Sequence, residues 1–332
     1  MKHWTRIGIL LATLAGLGVA VWTIGAAGLR EVFGTAGRMG PTGFLLYCLW
    51  SLGVFFLLGG AWFAAAPDER GRSMPLSGWP LFAWARMVRE AVSDLLPFSQ
   101  LGGIIVSVRT LTAAALPSTR VHASLVVDMT TEMASQLAYT LFGLALMGSL
   151  LIGDGAGAQL RPAILGGTFV MVAIILLFFA MQRTALDFAT RLAGRFVPGS
   201  IAMANIRTEL SRIYAQRDRV ALAFGANLAA WVASGIGAWL ALRWMGTHAS
   251  VWDVLALESL IFTLRSIAFI IPGALGVQEV AYAFVGPLFG LPAETALALS
   301  LAKRARDLAI GLPTLLVWQA NEIRGVATGR GK

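Results

Sequence analysis

Asp128 and Glu132 stand four residues apart, so a helix carries both carboxyl groups on one face. Glu279 closely follows a turn signal, in Ile271-Pro272-Gly273-Ala274-Leu275-Gly276-Val277-Gln278-Glu279. Arg265 precedes that turn, one heptad after Glu258. Lys303, Arg306 and Asp307 recur at three- and four-residue spacing and share a helix face, with Arg304 pointing elsewhere. Arg109 closes an apolar region and offers a counter-charge for Asp128 and Glu132. All these groups lie in otherwise apolar sequence, where an ionised side chain is expensive unless paired or hydrated. Two readings follow. In one, they are structural ion pairs and side chains snorkelling to an interface. In the other, they line a polar cavity whose cations hold an anionic headgroup while the carboxylates balance charge or carry protons. Buried carboxylates also suit acid–base chemistry on a lipid. No nucleophile elbow or phosphate loop accompanies them, and His3, His122 and His248 are isolated, so neither metal nor cofactor is expected. The candidate substrate-binding or transport residues are Arg109, Asp128, Glu132, Arg265, Glu279, Arg304, Arg306 and Asp307.

The composition fixes the medium in which this chemistry operates. Of 332 residues, 57% are hydrophobic and 13% charged, with a mean hydropathy of +0.74. Soluble domains carry about 25% charged residues, so the chain reads as a polytopic membrane protein. The net charge of +9 does not mark a nucleic-acid partner, because Lys and Arg fall between apolar runs rather than along one stripe. The single cysteine, Cys48, excludes an internal disulfide.

Charge-free windows predict membrane helices over 7–29, 39–67, 133–153, 162–182 and 220–242, with a sixth over 293–319. Residues 7–29 follow Lys2 and Arg6 as a signal peptide would, but are long enough to cross the bilayer and read as the first span. Loops carrying Arg70/Arg72, Arg120 and the 183–219 connector are basic, which places them and both termini in the cytoplasm. The apolar regions 79–116 and 251–291 must then each enter and leave from one side, as two opposed re-entrant hairpins. Their turns are expected at Pro97, Gly102 and Gly103, and at Pro272, Gly273 and Gly276. The fold class is thus all-α, one membrane domain over 1–332, with about six full spans and two hairpins. Repeat-like halves at 39–153 and 220–319 suggest an inverted repeat. The spacing Gly225/Ala229/Ala233/Gly237 predicts close helix packing, and tryptophans including Trp62, Trp79 and Trp231 read as interface anchors.

At these residues the sequence resembles the flippase-like family that shares the membrane region of lysylphosphatidylglycerol synthases, and within it the hopanoid-biosynthesis-associated membrane proteins. The resemblance rests on Leu96-Pro97-Phe98-Ser99-Gln100-Leu101-Gly102-Gly103 with Arg109, on Asp128 with Glu132, on the stretch from Ile271 to Glu279, and on Lys303-Arg304-Ala305-Arg306-Asp307. It implies a bacterial inner-membrane protein that moves or handles lipid through a central charged cavity, with lipid-biosynthesis enzymes as partners. Ile104 and Gln278 stand where relatives often carry an acidic and a basic residue respectively. The chain has no stretch polar enough for a soluble synthase domain, so aminoacyl transfer is not expected.

Overall fold

The computed structural model describes residues 28–66, 75–96, 99–152, 200–267, 271 and 274–327, with single positions 18, 22 and 169. Among them lie ten α-helices and no strand. They are α1 (Leu29–Gly37), α2 (Gly40–Ala64), α3 (Trp79–Leu95), α4 (Ser99–Ala113) and α5 (Ser118–Ile152), followed by α6 (Ser200–Ala215), α7 (Arg217–Trp244), α8 (Val251–Ile267), α9 (Val277–Val285) and α10 (Ala293–Ala327). Helices α2 and α7 are long and apolar enough to cross a membrane. Helices α5 and α10, at 35 residues each, exceed the roughly 20 needed for a crossing. The windows 7–29 and 162–182 fall almost wholly outside the described residues.

Burial is inverted relative to a water-soluble protein. Leu45, Leu49 and Phe56 on α2, Leu222 on α7 and Leu312 and Leu316 on α10 are exposed. Arg86, Arg89, Asp128, Glu132, Glu258, Glu279 and Lys303 are buried. Lipid satisfies the first group, and only protein satisfies the second. The chain is an all-α membrane protein.

Local sequence sets the helix ends. Pro41 and Pro80 sit in the first turns of α2 and α3, where a missing N–H costs nothing. Helix α3 stops as Leu96 turns extended (φ −104°, ψ 150°), the conformation imposed on a residue before proline. Helix α4 then packs back along α3. Gly102 and Gly103 lie inside α4, so the expectation that they form the turn is corrected: the reversal is finished upstream of them. Pro97 itself, like Pro272 and Gly273, lies outside the described residues. Gly103 serves closeness instead. A β-carbon there would sit 2.5 Å from the Arg89 carbonyl oxygen of α3, a backbone atom that cannot swing aside. Overpacking of this kind costs about 1–3 kcal/mol. Gly103→Ala should therefore lower the thermal midpoint of the purified protein in detergent; an unchanged midpoint would show that α3 and α4 can separate freely.

Without water to drive association, helices in lipid are held by close packing and hydrogen bonds. The α2–α7 contact shows both. Trp50 donates to the Ala233 carbonyl (2.7 Å), and Gly237 leaves room for the same indole. Gly225, at the other end of the predicted small-residue stripe, faces open space. Two expected interface anchors are instead in the interior. Trp62 is fully buried and donates to Ser124 (3.1 Å), and Trp231 packs edge-on against Phe262. The largest apolar cluster joins α7, α8, α9 and α10 around Leu257, Leu260, Tyr282 and Leu297.

Candidate functional site

Helix α3 supplies the cations for the first cluster. Arg86 and Arg89 lie three apart on one face, and α5 brings Asp128 and Glu132 to them from a single face of its own. Arg86 forks onto Glu132, its two terminal nitrogens 2.9 and 2.5 Å from the two carboxylate oxygens. Its Nε lies 3.0 Å from Glu90. Arg89 adds a 3.4 Å bond to Glu132. Asp128 receives only longer contacts, 3.5 Å from Arg86 and 3.6 Å from Arg89, both at Oδ2.

A second set of charges gathers on the carboxy-terminal half. Arg265 of α8 donates to Asp94 of α3 at 3.2 Å, joining the two halves of the chain. Glu258 of α8 accepts from Lys303 of α10 and from the Tyr282 hydroxyl of α9, all three deeply buried. Glu279 has a double task. One oxygen accepts the Gly276 N–H (2.9 Å), the other accepts from Arg304 Nε (3.0 Å). Gly276 holds φ +80°, which a β-carbon would strain, so the glycine and the carboxylate together start α9. Arg306 pairs with its neighbour Asp307 and lies over the Tyr47 ring. Gln278 donates to Ser300 Oγ (2.7 Å), a neutral link between α9 and α10.

The structure separates some expected partners. Arg109 does not meet Asp128 or Glu132. It is 61% exposed and pairs with Glu322 near the end of α10, because α4 turns that side chain away from α5. Lys303 and Arg306, assigned to one face, reach different helices. The true counter-charges Arg86 and Arg89 were missed as site residues, as were Glu258 and Asp94. The signal was present in α3, where Arg86, Arg89 and Glu90 repeat at helical spacing inside apolar sequence. A cavity of about 380 Å³ opens elsewhere, between α5, α6 and α7, lined by Thr130, Thr131, Tyr214, Arg217 and Phe224 among others.

Chemically, the described charges form ion pairs that link α3 to α5, α3 to α8, α8 to α10 and α9 to α10. Each guanidinium holds a carboxylate in a geometry that a phosphate also fits. Comparison with curated proteins and with solved structures finds no match. The family model for the lysylphosphatidylglycerol synthase transmembrane region, however, matches residues 7–313. The chain therefore belongs to the family defined by that membrane region.

Proposed function

We propose that the protein moves a polar-headed lipid across the membrane rather than transforming it. The observation that supports this reading is the chain of buried and part-buried ion pairs that joins α3, α5, α8, α9 and α10. A lipid phosphate entering among these pairs takes the place of a carboxylate on Arg304 or Arg306, so the arginine is never left bare. Such an exchange keeps the desolvation cost low in both states. In this reading the helix pairs α3–α4 and α8–α9 are re-entrant hairpins of an inverted repeat, and alternating access comes from rocking one half against the other. The membrane is the bacterial inner membrane, and the hopanoid-associated resemblance makes a hopanoid-related lipid the first substrate to try.

The test uses purified chain in vesicles carrying a fluorescent anionic phospholipid. Wild-type protein should raise transfer between leaflets above protein-free vesicles. Arg304→Ala and Arg306→Ala should return it to the protein-free rate while still inserting and eluting as a single species. Wild-type rates in both variants would sink the reading. A lipid product of new mass would point to an enzyme instead.

A further inference from the structure

We propose that Asp128 is a proton-binding site inside the membrane, and that its proton is exchanged with solvent as lipid moves. The second half of this statement rests on the transport reading above. Four pairs on the described helices are balanced one to one: Arg265 with Asp94, Lys303 with Glu258, Arg304 with Glu279 and Arg306 with Asp307. The α3–α5 cluster is not. Arg86 and Arg89 face three carboxylates: Glu90, Asp128 and Glu132.

Fully ionised, that cluster carries a net charge of −1, and its Arg86, Arg89, Asp128 and Glu132 side chains are buried. Glu132 takes the short bonds of both arginines. The Glu90 side chain is 23% exposed and lies 3.0 Å from Arg86 Nε. Asp128 is at 0% exposure, its Oδ2 has only the long contacts, and its Oδ1 has no partner at all. Asn227 of α7 donates from Nδ2 to Thr131 Oγ1 (3.2 Å), three residues along α5 from Asp128, and its Oδ1 is buried without a hydrogen-bond partner among the described residues. Asp128 Oδ1 is thus a buried acceptor without a donor among the described residues. One proton on Asp128 makes the cluster neutral and leaves Glu132 the bonds of both arginines.

Of the charged groups on the elements packed against α5, Arg217 of α7 comes to Thr130 and Thr131 at the cavity. Trp62 of α2 bonds Ser124, Tyr214 of α6 bonds Thr130, and α8 contributes Thr263 and Ser266 further along. Arg109 of α4 is turned away to Glu322. The proton leaves when α3 and α5 part and water reaches the carboxyl group, because a hydrated carboxylate ionises at neutral pH. It returns from whichever side the cluster next faces on closing.

The full chain in lipid nanodiscs tests the site without any transport. Infrared difference spectra at neutral pH should contain a protonated carboxyl C=O stretch that Asp128→Asn removes. Where Asp128→Asn does not fold, Asp128→Glu serves, since it should shift that band rather than remove it. A spectrum with Asp128 fully ionised at neutral pH overturns the proposal. In vesicles with an imposed pH gradient, wild-type lipid transfer should change severalfold with the direction of the gradient, and Asp128→Asn should not respond. A carboxyl band with gradient-independent wild-type transfer overturns the coupling. The band without any wild-type lipid transfer supports the proton site and overturns the transport reading.

Discussion

Arg86→Met should remove most of the protein's stability, about 3–5 kcal/mol, the usual cost of deleting one partner of a buried ion pair. The variant has a side chain of similar length, so the loss reports charge rather than a void. Glu132 loses both short bonds and keeps only the 3.4 Å contact from Arg89. Glu90 loses its neighbour at 3.0 Å, and Asp128 loses one of its two cationic contacts. Three carboxylates then share one guanidinium. Adding Glu132→Gln removes the worst uncompensated charge and should recover a large part of the loss. Unfolding of the single and double variants in detergent micelles measures both numbers. A single variant as stable as the wild type would mean that water already hydrates the cluster.

Lys303→Met should rank next. Lys303 is 2% exposed and its only carboxylate partner among the described residues, Glu258, is at 0%. Removing the ammonium leaves Glu258 with a single donor, the Tyr282 hydroxyl. The ring contacts of Lys303 to Phe262 and Tyr282 are also lost, though methionine replaces part of that packing. The expected loss is again about 3–5 kcal/mol by the same argument. Lys303→Met combined with Glu258→Gln should return to within about 1 kcal/mol of wild type, because the amide still accepts from Tyr282 and no charge remains to be solvated. Losses in the double variant that simply add would show that the two residues do not interact.

The sequence made visible whatever depends on neighbours along the chain. Windows 39–67 and 220–242 became α2 and α7 within a few residues, since lipid exposure demands unbroken apolar stretches. The shared face of Asp128 and Glu132 followed from helical periodicity, and the extended Leu96 from the proline after it. Partner choice was hidden because it is a property of helix–helix contact. Arg109 lies nearer than Arg86 to Asp128 in sequence, yet α4 presents it outward while α3 presents Arg86 inward. The glycines at 102 and 103 were misplaced for a related reason. A glycine suits both a reversal and a tight crossing, and only the packed helices distinguish them. Trp62 and Trp231 looked like surface anchors because amphipathic indoles favour interfaces, but one finds its hydrogen bond in Ser124 and the other its ring partner in Phe262.

Helix α10 aims three neighbouring cations at three different partners: Lys303 at α8, Arg304 at the start of α9 and Arg306 at Asp307 beneath the Tyr47 ring of α2. Successive residues on a helix differ by about 100° in heading, so one rigid rod engages several neighbours around its circumference. Turning that rod like a camshaft through a fraction of a revolution would part Lys303 from Glu258, Arg304 from Glu279 and Arg306 from the Tyr47 ring in the same movement, while Asp307 turns with Arg306. None can be given up gradually while the others persist. Any rotation of this helix therefore meets the loss of several contacts at once, which holds it at a single angle against α2, α8 and α9.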